Sequence, residues 1–446
     1  MFVSSAFYYF KKTSKAVLVL GVSLIPFPLQ AQDEQNNTAP DPAGYEALIR
    51  EAISWHPSIV ETTFKLQQQE QVIEAAKSNY MPQINAGISN GYSRNGNRST
   101  WSPRANVSLE QRIWDFGKVS SEVKSAEADF KGHRIQVLQS VDTIARDVAL
   151  AMIEIHRGRK MLEAANEQLE SVTAISNLVE RRHIEGAATR SDMLQARSRV
   201  DAAASSIMQM NAELNRWQAN LSSYLGRQIT AEIDALPPEW LSKSCGQATI
   251  NRYQTPTLLY AEAQVDKASA TMSRERAETY PTISLGASAQ TDINRPFEDT
   301  RTDLSVGLNV STSVFNGGIS RARIRNSAFG LSAAQAAYQS ALNEAERLLA
   351  ESKSQQALLD NRLSTLTLRY EKMQETRELY RLQYIEMGSR TLVDLLNSEQ
   401  EFSQARFEAI NSEHDLARLG VNCLYVSGEL RAAFNLEGME IEGVRL

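Results

Sequence analysis

Over 446 residues this sequence carries only two cysteines and five histidines, and beyond its first thirty residues it has no long apolar run. Each scarcity excludes something. Two cysteines cannot scaffold a fold, although an even pair permits one disulfide in an oxidising compartment. The histidines, His56, His133, His156, His183 and His414, are scattered and form no set with metal-ligand spacing. No HExxH, phosphate-binding glycine loop or nucleophile elbow occurs, so neither an enzyme nor a bound cofactor is expected. A net charge of −6 and the lack of Lys/Arg clusters interleaved with aromatics argue against a nucleic-acid partner. The lack of apolar segments excludes a bundle of membrane helices but not a membrane β-barrel, whose alternating strands hydropathy scans see poorly.

The one apolar run looks like a targeting signal. Lys11, Lys12 and Lys15 precede "AVLVLGVSLIPF", Ala16 to Phe27, and "LQA" ends at the small residue Ala31. A spanning helix needs roughly twenty apolar residues, so 1–31 reads as a signal peptide with Gln32 as the mature start. No Cys follows the run, which leaves no lipid-attachment residue there.

Landmarks recur in order along the remainder. Pro57 and Pro82 are 25 residues apart, as are Pro256 and Pro281. Gly117, in "WDFGK", follows Pro82 by 35, and Gly317, in "VFNGG", follows Pro281 by 36. Gly186, in "IEGAATRSDML", follows Gly117 by 69, and Gly388, in "IEMGSRTLVDLL", follows Gly318 by 70. Four ordered matches at an offset near 200 indicate an internal duplication. The first repeat spans 32–229, with strands at about 83–94 and 103–114, a long helix 117–185 and a shorter one 188–226. A linker, 230–250, carries the Pro237–Pro238 pair. The second repeat spans 251–427, with strands at about 282–292 and 302–315, a long helix 318–387 and a shorter one 390–426. A tail, 428–446, follows.

The strands show period two. Ile283, Leu285, Ala287 and Ala289 alternate with small polar residues, as do Leu304, Val306, Leu308 and Val310, and Ile84, Ala86 and Ile88 repeat the pattern in the first half. Strands of nine to eleven residues with one apolar face are long enough to cross a bilayer in a barrel. A soluble sandwich sheet would alternate in the same way. Four strands cannot close a barrel, so in a membrane several chains would have to share one. The long helices carry apolar residues three and four apart, through Val137, Val141, Ile144 and Val148 and again through Leu342, Ala345 and Leu349, which is a coiled-coil stripe. The fold class expected is mainly α, with a long helical tunnel and a membrane β-barrel to which each chain gives four strands.

The Pro-to-strand switches, "WDFGK", "FNGG" and the two Gly-containing helix breaks together resemble the TolC-like outer-membrane channels of Gram-negative tripartite export systems, from Ala47 to about Val426. The resemblance implies a homotrimer with a twelve-stranded barrel in the outer membrane and a periplasmic tunnel. It further implies a periplasmic adaptor docking at the tips around Gly186 and Gly388, and an inner-membrane ATPase or proton-driven pump. Arg390, in "GSRTLVD", matches the family's basic gate position and Asp192, in "RSDML", its acidic partner. Asp394 matches one carboxylate of the axial constriction, and Asn397 stands where a second Asp is often found. A solvated helix-end pair is the alternative for Arg390 and Asp192, and a helix N-terminal charge for Asp394. A duplicated fold brings Cys245, at the end of the linker, and Cys423, at the end of the last long helix, to the middle of the tube. There they form either a disulfide or two buried thiols.

The expected function is that of a passive duct. The missing Cys after the apolar run favours type I protein secretion, since many efflux members carry a lipid-anchored Cys. The alternatives are small-molecule efflux and a periplasmic coiled-coil protein that never enters the membrane.

Overall fold

The computed structural model describes residues 44–95, 98–229, 236–293, 302–441 and 444–445. The expected leader, 1–31, lies outside them, as does part of the linker.

The two repeats are built from matching elements. After α1 (Tyr45–Trp55), the first comprises α2 (Pro57–Ser78), β1 (Gln83–Asn95), β2 (Arg98–Trp114), α3 (Lys118–Ile184) and α4 (Arg190–Leu225). The second comprises α6 (Pro256–Ala277), β3 (Thr282–Asp292), β4 (Thr302–Ser311), α7 (Ile319–Leu382), a single π-helical turn over Gln383–Met387, and α8 (Leu392–Ser427). The helices α2 and α6 are both 22 residues long and both begin with Pro at a first-turn position, where its missing N–H costs nothing. Both stop short of a second proline, because the residue before proline is pushed out of helical geometry, and each strand starts at the next residue, Gln83 or Thr282. Gly117 and Gly318, with φ of 92° and 89°, then make the left-handed turns that launch α3 and α7.

The four strands form one antiparallel sheet in the order β1-β2-β3-β4, so that β2 and β3 join the repeats side by side. Its register puts Ile84, Leu109, Ala287 and Val306 in one row across the sheet, and Gln83, Glu110, Gly286 and Gly307 in the adjacent row. One face is therefore apolar and bare, with Ile88, Leu304 and Leu308 largely exposed, and the other polar. Both ends of the sheet are unpaired edges. Two boundaries differ from expectation. β2 starts at Arg98 rather than near 103, because the "RSTW" segment continues the ladder, pairing Trp101 with Tyr92 at 5.2 Å between rings. β4 ends at Ser311, short of 315, where the alternation lapses before "NGG", and Val314 and Phe315 lie beyond it.

At ~1.5 Å per residue, the 67 residues of α3 reach about 100 Å from the sheet. The principal core lies midway. It gathers Leu48, Ile49 and Ile53 of α1, the Val141–Ile155 stretch of α3, Leu221 and Leu225 of α4, and Val421 and Leu424 of α8. Each large apolar side chain buried there contributes about 1.5–3 kcal/mol. The linker adds Leu241, from a 3-10 turn over Glu239–Lys243, and the short α5 (Ser244–Gln247) follows it. The segment expected to be a tail is part of this core: α9 (Leu430–Ala433) leads to Phe434 and Leu436, both fully buried. Arg431 pairs there with Asp142 and also donates to the Gln254 carbonyl at 2.8 Å. Burial pushes the Asp142 carboxyl up to about 6 even beside that guanidinium. A short hairpin, β5 (Glu440–Ile441) with β6 (Val444–Arg445), follows. Cys245 and Cys423 are joined as a disulfide with Cα atoms 5.2 Å apart, which fastens the linker to α8.

Candidate functional site

The ends of the two helical hairpins, remote from the sheet, hold most of the residues singled out in the sequence. α3 stops at Gly186 and α7 at Gly388, both in left-handed conformation with φ of 77° and 61° and with open space around them. The return helices start identically. Thr189 and Thr391 are N-caps, and Asp192 and Asp394 close the box by accepting from the cap residue's backbone N–H at 3.0 and 3.2 Å. The sequence signal was there to be read, as "TRSD" and "TLVD". The Thr391 hydroxyl, its backbone N–H and nearby Arg390 hold the Asp394 carboxyl below the usual carboxylate range.

Arg390 and Asp192 do not meet within the chain. Arg390 donates from Nε to Gln383 Oε1 at 3.0 Å, and its guanidinium lies 4.3 Å from the centre of the Tyr380 ring. Asn397 accepts from Arg199 of α4 at 3.3 Å, and Arg199 also donates to Gln400. A small apolar core, Ile175, Val179, Ala196, Tyr384, Leu392, Leu395 and Leu396, packs the two hairpins together. Farther from the tips Glu399 of α8, all but fully buried, faces Arg377 at 3.7 Å; burial raises its pKa and Arg377 opposes that. Among the described residues no cluster of His, Cys, Asp or Glu could hold a metal, and no helix is long and apolar enough to cross a membrane.

The other functional surface is the sheet. Its bare apolar face is bracketed by aromatic residues, Tyr92 and Trp101 toward the far turn and Trp114, Phe116 and Tyr280 at the helical end. A band of aliphatic side chains between two aromatic belts is the outer surface of a membrane barrel, and the polar face, with Asn106, Ser108, Glu110 and Ser288, is its water-filled side. The fold and its two surfaces define an outer-membrane duct with a long helical extension.

The chain belongs to the outer membrane efflux protein family, whose model matches residues 48–227 and 251–419, one segment in each repeat. It is 23% identical over 384 residues to outer membrane efflux protein BepC of Brucella suis, covering 82% of this chain and 80% of that one. It is 22% identical to the pyoverdine export outer membrane protein OpmQ of Pseudomonas aeruginosa, covering 84% and 82% of the two chains. Among solved structures, the outer-membrane channel OprN superposes with a TM-score of 0.77 at 19% identity, over 87% of this chain and 90% of that one. VceC from Vibrio cholerae superposes with a TM-score of 0.76 at 16% identity, over 86% and 96%. The chain is thus an outer-membrane efflux channel that works with pump components, a transport duct and not an enzyme.

Proposed function

We propose that the chain is the outer-membrane duct of a tripartite pump for small molecules. An inner-membrane ATPase or proton-driven pump drives the cargo, and a periplasmic adaptor docks at the tips around Gly186 and Gly388. The observation that carries this reading is the cargo named for relatives that align along most of the chain: pyoverdine for OpmQ, and toluene for the efflux pump protein TtgF of Pseudomonas putida, 22% identical over 418 residues. Protein secretion, favoured in the sequence only by a missing cysteine, has no comparable support. Three copies sharing their open β1 and β4 edges would close a twelve-stranded barrel, since unpaired edges do not persist in lipid. Arg390 and Asp192, apart within one chain, would meet across neighbouring chains at the closed aperture. The axial ring would carry Asp394, with Asn397 in place of a second carboxylate. An exposed pair contributes about 0–1 kcal/mol, but three copies suffice to bias a two-state gate.

Deletion of the gene and complementation with the full chain tests the cargo. The deletion should accumulate ethidium and become sensitive to lipophilic toxins, with both restored by the wild-type chain. Normal dye efflux together with loss of an extracellular protein would sink this reading in favour of secretion.

A further inference from the structure

The two hairpin tips end their long helices in different ways, although their sequences follow one plan. A helix end leaves its last carbonyls without intrahelical donors. At the first tip the chain satisfies them itself. Ala187 and Ala188 N–H groups donate back to the Arg182 carbonyl at 2.7 and 3.2 Å, and Gly186 N–H reaches the His183 carbonyl at 3.0 Å. At the second tip the helix widens into the π turn, and the Gly388 and Ser389 N–H groups both point to the Gln383 carbonyl. The next two carbonyls, Tyr384 and Ile385, are taken by the first repeat: Arg182 Nη2 donates to them at 3.4 and 3.2 Å.

Arg182 makes a second contact with the same turn. Its guanidinium lies 4.6 Å from the centre of the Tyr384 ring, and Tyr384 is buried in the core shared by the hairpins. Arg182 stands four residues before Gly186 and Tyr384 four before Gly388, so the contact joins equivalent positions of the two repeats. A cation at a helix C-terminus is favoured by the helix dipole, and a planar guanidinium can stack and hydrogen-bond at once, which an ammonium cannot. The contacts of Arg390, at Gln383 and Tyr380, stay within its own hairpin. The charged tie between the two hairpins at the end of α7 is therefore Arg182.

We propose that Arg182 is a positioning residue for the aperture: it caps the π turn of α7 from the outside and thereby holds the α7–α8 hairpin tip against the α3–α4 hairpin in the closed duct. This rests on the channel reading but not on the cargo. Without the cap, the Tyr384 and Ile385 carbonyls lose this donor and the Tyr384 ring loses its stacked guanidinium, so the hairpin tip is held less firmly.

Single-channel conductance of the full chain in planar bilayers reads the effect whatever the cargo. Arg182→Ala should raise conductance severalfold in an assembly that still runs at the wild-type mass. Arg182→Lys, which keeps the charge but not the planar stack, should also raise it. Tyr384→Leu, which keeps the apolar packing but removes the stacked ring, should raise it by less than Arg182→Ala does. Wild-type conductance in Arg182→Ala overturns the proposal; if Arg182→Ala does not assemble, Arg182→Lys decides, and wild-type conductance there overturns it equally. A failed dye-efflux assay with raised Arg182→Ala conductance rejects the small-molecule cargo and leaves this assignment standing.

Discussion

The long helices α3 and α7 are near-copies in length and launch, yet they live in different surroundings. α3 buries Val119 through Val179 at twenty-four of its 67 positions, walled by α1, α2, α4, α6 and α8. α7 buries six of its 64, with α6, α8 and the linker against it. Ile184, at the very end of α3, is its one exposed large apolar residue, whereas α7 exposes Phe329, Leu358, Leu368, Leu379 and Leu382. Duplication supplied two equivalent helices, and the fold uses one as its spine and leaves the other with a bare flank. An apolar stripe along a helix that long is stable only when covered, so α7's flank is where the proposed neighbouring copy belongs.

The sharpest way to break this comparison is to place a charge on each helix. Val148→Asp on α3 sets an unpaired carboxylate at a fully buried position and should prevent folding, read as lost helical circular dichroism. Leu358→Glu with Leu368→Glu on α7 should keep the helical signal while the particle mass in detergent falls to that of one chain. A double variant that still assembles would mean that α7's flank faces water.

Next in size is the disulfide. The linker it fastens is also what touches the middle of α7, where Gln356 donates to the Ser242 carbonyl at 2.5 Å and Leu349 packs beside the cysteines. Replacing Cys245 and Cys423 by Ser should cost about 2–5 kcal/mol. The loss should appear as faster hydrogen exchange over 342–366 of α7 with little change over 141–155 of α3. Equal loosening of both would show that the clamp serves the whole core.

A smaller, pH-dependent effect is expected where α8 meets α3. His414 donates from Nδ1 to the Ile410 carbonyl at 2.7 Å, which leaves its Nε2 to accept from His156 Nδ1 at 2.8 Å. Burial lowers the His414 pKa against the opposing pull of that carbonyl and of Glu413 and Glu154, with Arg157 reinforcing the depression. A histidine held neutral in the fold takes up its proton more readily when unfolded, so stability should fall as pH drops below about 6.5. Asp142, with its raised pKa, contributes in the opposite sense over the same range, so the test is the difference: between pH 7.5 and 5.5 the melting temperature of the wild type should fall relative to that of His414→Gln.

Smallest are the caps. Thr189→Ala and Thr391→Ala should each cost about 1 kcal/mol, and by about the same amount, because this is one place where the repeats remain alike. A marked inequality in their thermal shifts would reveal that the tips load their return helices differently.

Much of the fold was legible because it depends on local signals. Prolines that stop a helix and glycines that permit a left-handed turn act within a few residues, so the repeat units and most helix ends could be placed from the sequence. The strand faces followed from alternation alone. The burial of Phe434 was not legible, since nothing near it says that Tyr45 and Trp240 wait in space. Nor was the role of Arg182, one of three consecutive basic or imidazole side chains at a helix end, whose partners lie some two hundred residues away. Asp192 and Asp394 could have been read as capping residues from the threonines three positions earlier. The family pattern drew attention to their charge instead.

The placement of Phe434 has a consequence for the order of events during biogenesis. Asn435 bonds Glu46 across 389 residues at 3.2 Å, and Phe434 sits between the rings of Tyr45 and Trp240 at 5.9 and 5.8 Å. α1 therefore has to wait for almost the whole chain before its core can close, and such distant contacts form slowly. During that interval the apolar strands and the flank of α7 are exposed in the periplasm together, where they are prone to aggregate. A chain truncated before Leu430 should therefore leave this core open, and limited proteolysis should cut it in α1 under conditions in which the full chain resists.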